Sequence, residues 1–121
     1  MRGIGTDIIE IDRIKKALEK NSSFIDKVFT KAEQEYCKQF SESERQFTAR
    51  FCAKEAVAKA LGEGITENLS WLDIEVSHDK KGKPIILLSS PAKEKFSSLG
   101  VFLISLSHCK NYATATAIWL E

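Results

Sequence analysis

Two carboxylates and a few cations are the side chains in this sequence whose types and spacing could do chemistry. Asp7 stands in the isoleucine-rich run "GIGTDIIEID", beside Gly3 and Gly5. A carboxylate buried without a partner is so unfavourable that such a group is normally hydrogen-bonded, ion-paired or metal-bound. Asp7 therefore either caps a helix or holds a bound group such as a metal ion. The residues alone favour capping, because Glu10 follows at the spacing of a capping box.

A second group lies on "SESERQFTARFCAKEAVAKALG", which is predicted as the longest helix. At about 100° per residue, Arg50 and Lys54 fall inside the arc formed by its apolar residues, namely Phe47, Phe51, Val57, Ala58 and Leu61. Cations on an apolar stripe are explained by snorkelling, which composition favours, or by a face that binds an anion or another subunit. Glu55 precedes Lys59 by four residues, the spacing of an ordinary exposed ion pair.

The histidines and the common nucleotide-site motifs add little by themselves. His108 in "SLSHCKN" is predicted where a strand meets a turn, as a hydrogen-bonded surface histidine, and His78 as a turn residue. The sequence contains no G-x-x-x-x-G-K-[ST], no G-x-G-x-x-G and no G-x-S-x-G. A P-loop, a Rossmann site and a nucleophile elbow are therefore unsupported.

Length and composition predict one soluble domain over residues 1–121. The chain has 121 residues, of which 43% are apolar, and 18 basic against 17 acidic side chains leave a net charge of +1. So small a net charge disfavours nucleic-acid binding. The cysteines, at positions 37, 52 and 109, suit reduced thiols in the cytoplasm better than a disulfide framework or a zinc site. We expect no leader and no membrane span.

The first half of the chain predicts mostly helices. A short strand over residues 2–9 precedes a helix through "EIDRIKKALEK", where isoleucine and leucine recur at helical spacing. The segment "NSSFIDKVFTKAEQEYCKQF" then predicts a turn and two short helices. Their N-caps are predicted at Ser22 or Ser23, and at Thr30 with Glu33 at capping-box spacing. Gly62 is a natural stop just past the long helix.

The second half predicts two β-hairpins and a short helix. "LSWLDIEVS" and "PIILLSS" are joined by a turn at Gly82, and "VFLISLS" and "YATATAIWL" by "HCKN". Between the hairpins, "PAKEKFSSLG" opens with Pro91, which suits a helix N1 position. Alternating alanines in the last strand imply close packing against a helix. We therefore expect an α+β fold with helices packed on one face of an antiparallel sheet.

Four blocks of sequence match a known family in order and spacing. They are "GIGTDIIEIDRI", "RFCAKEAVAKALGEGI", "LDIEV" with "GKP" behind it, and "SLSH" before the last strand. Over nearly the whole chain, the sequence resembles the holo-acyl-carrier-protein synthases, the short bacterial type of 4′-phosphopantetheinyl transferase. G-x-D near the start and K-E-x-x-x-K-A about fifty residues later are weak separately, but the pair is specific.

The resemblance implies an Mg²⁺-dependent transfer in fatty acid biosynthesis. The 4′-phosphopantetheine arm of coenzyme A would pass to a serine hydroxyl of an acyl carrier protein, leaving adenosine 3′,5′-bisphosphate. Asp7 and Glu55 are the carboxylates that the family pattern assigns to the metal, in keeping with the oxygen ligands that Mg²⁺ prefers. Such a transfer needs mainly positioning and charge neutralisation. The proton acceptor is either Glu55 or a metal-bound water, and the sequence leaves both open.

Coenzyme A carries a diphosphate and a 3′-phosphate, which gives the cations a role. By resemblance Lys59 is a catalytic residue that contacts phosphate. The other positions implied along the coenzyme A site are Arg50, Phe51, Gly62, Pro84 and His108. Lys54, inside the apolar arc, is a further candidate. Gly62 and Gly64 would let the backbone approach the ligand, which is compatible with their roles as helix stop and turn.

The resemblance also implies two protein partners. The family is homotrimeric with active sites between subunits, and we expect the small-residue face of "ATATA" and the cations of the long helix at such contacts. The acidic carrier protein docks on the first helix, where "DRIKKALEK" has a local excess of two positive charges. The implied docking residues are Arg13, Lys16 and Lys20. Ala17 and Ser23 stand where some members carry larger or basic side chains, so carrier affinity is weaker or differently tuned.

One alternative from another class remains open from the residues. A non-catalytic module could bind a nucleotide or an acidic protein through "DRIKK" and the long helix. In that case Asp7 is only a cap and Glu55 only a surface ion pair.

Overall fold

Helices dominate the first half of the molecule after one strand, and antiparallel strands the second half. The computed structural model describes residues 1–96 and 100–120. The elements follow in this order: β1 Gly3–Glu10, α1 Ile11–Lys20, α2 Phe24–Val28, α3 Lys31–Cys37, α4 Ser43–Ala60, a 3₁₀ helix Trp71–Asp73, β2 Ile74–His78, β3 Pro84–Leu88, α5 Ser90–Lys95, β4 Phe102–His108 and β5 Tyr112–Trp119. The predicted α+β class is confirmed. Within the described residues, no helix is long and apolar enough to cross a bilayer.

The strands form two sheets where one was expected. A three-stranded antiparallel sheet has the order β1-β5-β4, and β2 and β3 form a separate hairpin. Both predicted hairpins are present. The first begins later than expected, at Ile74, because residues 71–73 form the 3₁₀ helix that Ser70 and Asp73 close with a capping box. Helix α4 packs on one face of the larger sheet and also contacts β2, so helix-on-one-face packing holds for that sheet.

Helix α4 is the central element and is buried around most of its circumference. It contacts β1, β5, β4, β2, α1 and α3. Its buried side chains cover every side of the helix: Phe47, Thr48, Ala49, Arg50, Cys52, Ala53, Lys54, Ala56, Val57, Ala58 and Ala60. The predicted single apolar arc is therefore wrong. The alanine-rich sequence allows neighbours to approach from all sides, so polarity does not mark one solvent face.

Strand β1 lies directly on the backbone of α4 because two of its inward-facing residues are glycines. A Cβ atom on Gly3 would come within 1.9 Å of the Ala60 carbonyl oxygen, and one on Gly5 within 2.0 Å of the Ala56 carbonyl oxygen. Such distances are far inside van der Waals contact, so any larger residue would push the strand off the helix. Asp7 is the next inward-facing residue along β1. The two glycines thus set how close Asp7 lies to α4.

Strand β5 packs its small side chains against the same helix, as predicted. Ala113, Ala115 and Ala117 are buried, and Asp7 of β1 is paired in register with Ala115. This packing corrects a second expectation, since the alanine face of "ATATA" is covered by α4 of the same chain. It is not available for contact with another subunit.

The helix termini follow the predicted capping chemistry in the middle of the chain. Thr30 and Glu33 form the expected capping box at the start of α3. Ser23 occupies the N-cap of α2 without a side-chain capping bond. Pro91 is the second residue of α5, one position later than predicted, and the N-cap Ser89 accepts a hydrogen bond from the Ala92 backbone. The end of the segment predicted there, residues 97–99, lies outside the described residues.

A buried ion pair joins α3 to α4. Lys54 and Glu33 have fully buried side chains, and Lys54 Nζ lies 2.6 Å from Glu33 Oε1. Lys54 Nζ also donates to the carbonyl oxygens of Val28, at 2.8 Å, and Trp71, at 3.0 Å. Glu33 Oε2 accepts from the Val76 amide at 2.7 Å. Full hydrogen bonding of both charges is what makes their burial tolerable.

The opposite face of the larger sheet is open and partly apolar. Ile4 of β1, Ile118 of β5 and Leu103 of β4 are aligned in one cross-strand row. Ile4 is 57% exposed, Leu103 46%, and Ile8 further along β1 66%. Threonine and serine side chains occupy most of the other outward positions of this face, and Glu10 and Tyr112 lie at one end of it. We call this surface the open sheet face.

The contact between β1 and α4 yields a stability prediction. Gly5→Ala should lower the free energy of unfolding by about 3 kcal/mol, because its Cβ has no space against the Ala56 carbonyl. Gly82→Ala is the control, since Gly82 has a φ of +87° but nothing near its Cβ position. That control should cost about 1 kcal/mol, for backbone strain alone. Urea denaturation measures both values, and a Gly5→Ala cost no larger than that of Gly82→Ala would contradict the close contact.

Candidate active site

Asp7 is a strand residue and not a helix cap. It lies in the middle of β1, and its side chain is 16% exposed. The N-cap of α1 is Glu10, without a side-chain capping bond. The capping interpretation of Asp7 is therefore wrong, because the chain stays extended for three residues beyond it. The Thr114 hydroxyl donates to the Asp7 carbonyl at 2.9 Å and ties this point of β1 to β5.

Lys59, on the last turn of α4, reaches back to β1. Its Nζ donates to the Thr6 carbonyl oxygen at 2.9 Å and to Asp7 Oδ1 at 3.3 Å. The lysine side chain is 50% exposed, so solvent screens the ion pair. The sequence predicted a pair between Lys59 and Glu55. Lys59 instead pairs with Asp7, across the contact between helix and strand.

Glu55 lies one helical turn before Lys59 and is partly buried. Burial raises the pKa of Glu55, and the negative charge of Asp7 raises it further, while the Lys59 ammonium acts in the opposite direction. The two carboxylates are therefore close enough to repel one another. With one ammonium between two carboxylates, the cluster is short of positive charge.

The donor set fits a hard divalent cation. Two carboxylates are the protein ligands that Mg²⁺ commonly takes, with substrate phosphate and water completing its coordination. In the described parts of the chain, no three His, Cys, Asp or Glu side chains come together as a metal cage. The Asp7–Glu55 pair is thus suited to a metal shared with a phosphate-bearing substrate rather than to a structural metal.

A second cluster surrounds Arg50, one helical turn before Lys54 on α4. Arg50 is 3% exposed, and its guanidinium lies 4.3 Å from the centroid of the Tyr36 ring. Its Nη2 atom is hydrogen-bonded to Nε2 of His78. These residues line a cavity together with Pro84 and His108. Three positions implied by the resemblance, 50, 84 and 108, therefore share one cavity.

His78 and Tyr36 were missed or misjudged from the sequence. His78 ends strand β2 and stacks on Tyr36 of α3, with ring centroids 4.0 Å apart. It is not the turn residue that was predicted. The contact joins residues 42 positions apart, and no local pattern of charge or hydrophobicity encodes it.

Phe51, in the middle of α4, and Gly62, just past its end, are two further positions implied by the resemblance. Phe51 is partly exposed and stacks on Trp71 at 4.6 Å between ring centroids. Gly62 has a φ of +79° just past α4, so it ends the helix in the left-handed conformation as predicted. Gly64, with a φ of +71°, continues the turn.

Lys54 requires a correction. It was a candidate for coenzyme A contact, but its ammonium is wholly buried and donates to Glu33, Val28 and Trp71. All three of its protons are used inside the chain. Lys54 is therefore a structural cation and is not part of the candidate site.

The basic residues of α1 lie on a different surface. Arg13, Lys16 and Lys20 are all exposed. Lys16 is paired with Asp12 at 2.8 Å, and Lys20 lies in the last turn. This leaves Arg13 and Lys20 as the less neutralised charges of the three. The helix buries Ile11 and Ile14 on its other side, so its cations face outward for structural reasons alone.

Comparison with known proteins identifies the family. Residues 3–117 match the sequence model of the 4′-phosphopantetheinyl transferase superfamily. The holo-[acyl-carrier-protein] synthase of Protochlamydia amoebophila is 48% identical over 118 residues, covering 97% of this chain and 96% of the relative. The protein of the same name from Ruminiclostridium cellulolyticum is 50% identical over 119 residues, covering 95% and 89%.

Solved structures agree with this assignment. The Helicobacter pylori holo-[acyl-carrier-protein] synthase in complex with coenzyme A superposes with a TM-score of 0.85 at 33% identity, covering 95% of this chain and 97% of that one. The Bacillus anthracis synthase, in complex with CoA (3′,5′-ADP), gives a TM-score of 0.81 at 39% identity, covering 96% and 93%. The chain therefore belongs to the 4′-phosphopantetheinyl transferase superfamily and, within it, to the holo-[acyl-carrier-protein] synthases.

Proposed function

We propose that this enzyme transfers 4′-phosphopantetheine from coenzyme A to a serine of an apo acyl carrier protein, with Mg²⁺ as its cofactor. The observation that carries the proposal is the meeting of Asp7, Glu55 and Lys59 at the contact between β1 and α4. The names of the relatives and the coenzyme A complexes among the similar structures support the choice of substrates.

Asp7 and Glu55 would hold the metal, one from the strand and one from the helix. When bound, Mg²⁺ neutralises negative charge on the diphosphate and orients it for attack. Lys59 keeps Asp7 in place through its ion pair, and only two of its three ammonium protons are used within the described residues. The third is available to a phosphate oxygen of the substrate.

The reaction breaks the bond between the bridging oxygen of the diphosphate and the phosphorus that bears the pantetheine arm. The carrier serine Oγ forms a bond to the phosphorus that bears the pantetheine arm. The bridging oxygen leaves with its electron pair on adenosine 3′,5′-bisphosphate. The serine proton must pass to a base, which is either Glu55 or a water held at the metal site.

The remaining coenzyme A contacts are proposed from two parts of the chain. Lys59 and Gly62, near the C-terminal end of α4, are suited to phosphate and close backbone contact. Arg50, Pro84 and His108 line the cavity that also contains His78 and Tyr36. Phe51 offers an aromatic face between the two along the helix.

We also propose that the working form is a homotrimer with each active site completed by a neighbouring chain. The open sheet face supports this proposal, because exposed isoleucine and leucine side chains in a continuous patch are typical of a protein interface. The alanine face of β5 and Lys54 do not contribute to it, since both are buried within the chain.

The carrier protein is proposed to dock on α1. Acyl carrier proteins are acidic, and Arg13, Lys16 and Lys20 give this helix an exposed basic surface.

The pathway is fatty acid biosynthesis, because an acyl carrier protein is the acceptor that the relatives' names specify. We place the reaction in the cytoplasm, for which the free thiols of Cys37, Cys52 and Cys109 are the supporting observation.

Loss of either carboxylate should abolish transfer while leaving the protein folded. Asp7→Asn and Glu55→Gln keep side-chain shape but remove the charge that a divalent cation needs. Intact-mass spectrometry of apo carrier protein, incubated with enzyme, coenzyme A and Mg²⁺, measures the gain of phosphopantetheine. Glu94→Gln, an exposed glutamate on α5, is the matched control and should transfer normally. Full activity in either site variant would refute the two-carboxylate site.

The unfolding temperature of Glu55→Gln tests whether the charge of Glu55 stabilises the fold or serves only the active site. A raised pKa means that the folded state holds the Glu55 proton more tightly than the unfolded state, so the charged form lowers stability above that pKa. The metal-free variant should therefore unfold at a higher temperature than wild type at pH 7, with the gap narrowing as the pH falls. If the non-catalytic alternative is correct, the wild-type protein should still bind its ligand but should transfer no phosphopantetheine to the carrier protein.

Disruption of the open sheet face should dissociate the trimer. Ile4→Lys places a charge in the apolar row of this face. Sedimentation velocity should show the wild type with the mass of three chains and the variant with the mass of one, with transfer activity lost in parallel. Leu87→Lys, at a side chain 47% exposed on the two-stranded sheet, should leave both properties intact. A monomeric but fully active wild type would contradict the proposal.

Charge reversal on α1 should weaken carrier recognition selectively. The double variant Arg13→Glu, Lys20→Glu should raise the KM for the carrier protein by about tenfold at low salt, with the KM for coenzyme A unchanged. The effect should shrink as ionic strength rises. Lys93→Glu on α5 is the control for an exposed lysine elsewhere. An unchanged carrier KM in the double variant would move the docking surface away from α1.

A further inference from the structure

Helix α4 carries two buried cations that are neutralised very differently. Lys54 has the Glu33 carboxylate at 2.6 Å and two carbonyl acceptors. Arg50, four residues earlier and only 3% exposed, has no carboxylate within ion-pair distance among residues 1–96 and 100–120. A buried charge without a counter-charge is strongly unfavourable. Arg50 is therefore poised for an anion that its own described chain does not supply.

The guanidinium of Arg50 has one close acceptor and several underused donors. Nη2 is hydrogen-bonded to His78 Nε2. Among the described residues, Nη1 has only long contacts, 3.4 Å to the Gln46 carbonyl and 3.4 Å to Gln46 Oε1, and the buried Nε has no hydrogen-bond partner there. The Tyr36 ring beneath it gives a cation–π contact but accepts no conventional hydrogen bond. The guanidinium is thus oriented by His78 and Tyr36, with donor capacity left over.

His78 can act as an acceptor because its surroundings keep it neutral. Burial lowers the pKa of His78, and the adjacent Arg50 cation lowers it further, against an opposing effect of Asp79. A neutral imidazole accepts at one nitrogen, whereas an imidazolium has no acceptor and would repel Arg50. Stacking on Tyr36, with 29° between the ring planes, fixes the plane in which Nε2 meets the arginine.

This trio forms one wall of a cavity that is open to solvent. The cavity is also lined by Gly82 and Pro84 from the β2–β3 hairpin and by Leu106 and His108 from β4. Arg50 and His108 thus line the same cavity. Guanidinium donors with spare capacity in a partly apolar cavity suit a phosphate group.

We propose that His78, held in place by Tyr36, is a positioning residue that aims the Arg50 guanidinium at a phosphate group of coenzyme A. The proposal rests on the proposed function for the identity of the donor substrate. The ligand chemistry is a phosphate anion, which coenzyme A presents in two places, the diphosphate and the 3′-phosphate. His78 itself contacts the arginine and not the reacting atoms, so its loss affects donor binding rather than the chemical step.

Two variants at position 78 separate the acceptor from the ring. His78→Phe keeps an aromatic stack on Tyr36 but removes Nε2, and it should raise the KM for coenzyme A by about tenfold with kcat nearly unchanged. His78→Gln offers an amide oxygen near the position of Nε2 and should restore most of the affinity. If His78 had only a structural role, the amide oxygen of glutamine would not restore the KM for coenzyme A that His78→Phe had raised.

Coenzyme A and 3′-dephospho-coenzyme A distinguish the two phosphate sources. If Arg50 binds the 3′-phosphate, the KM difference between His78→Phe and wild type should disappear with the dephospho substrate. If Arg50 binds the diphosphate, the difference should persist with both. Calorimetric titration with adenosine 3′,5′-bisphosphate and with adenosine 5′-monophosphate provides the same comparison without turnover. If the 3′-phosphate is the ligand, His78→Phe should bind the bisphosphate about tenfold more weakly than wild type and the monophosphate equally well.

The outcomes separate this inference from the proposed function. If wild type transfers no phosphopantetheine, the proposed function fails. If wild type is active and His78→Phe has an unchanged KM for both donors, or a loss confined to kcat, the positioning role of His78 is overturned. Tyr36→Leu, which removes the stack but keeps His78, should raise the KM in the same direction and serves as the second variant should His78→Phe fold poorly.

Discussion

The direct contact between the backbone of β1 and the backbone of α4 is the constraint on which the site depends. Gly3 and Gly5 leave no side chain between strand and helix, and the carbonyl oxygens of Ala56 and Ala60 occupy the space that a Cβ would need. The next inward residue of the strand is Asp7, which meets the turn of α4 that carries Glu55 and Lys59. A site made from two distant segments of sequence is thereby fixed by an arrangement of backbones, which deforms less than side chains do.

Charge balance along α4 divides its polar residues by role. Lys54 is fully neutralised by Glu33 and holds α3 against the central helix. Asp7 and Glu55 have one ammonium nearby, that of Lys59, so the C-terminal part of the helix is short of positive charge. Arg50, near the middle of the helix, lacks a carboxylate partner among the described residues. The protein thus keeps one buried ion pair complete and leaves opposite charges incomplete at the two places that we propose for a metal ion and a phosphate. Such uncompensated groups lower stability in the ligand-free protein and are typical of functional sites.

Local chemistry made much of the fold predictable. The Thr30–Glu33 capping box, both hairpins, the alanine face of β5 and the positive φ of Gly62 all follow from short-range preferences. Contacts between distant segments were not predictable in the same way. Asp7 with Glu10 has the spacing of a capping box, but pairing of β1 with β5 along its full length holds Asp7 in a strand. The single apolar arc expected for α4 was wrong because helices and strands cover most of its circumference. Lys54 and Arg50 looked equivalent in sequence, and only the positions of Glu33 and His78 in space distinguish them.

The central claim is that Asp7 and Glu55 together hold one divalent cation. The most direct measurement titrates the metal-free protein with Mn²⁺ in the presence of coenzyme A and follows the free ion by electron paramagnetic resonance. The account predicts a single tight Mn²⁺ for each active site, which Mg²⁺ displaces, and loss of that tight binding in Asp7→Asn and in Glu55→Gln alike. Wild-type Mn²⁺ affinity in either variant would contradict the claim and would assign the metal, and with it the chemistry, to other residues.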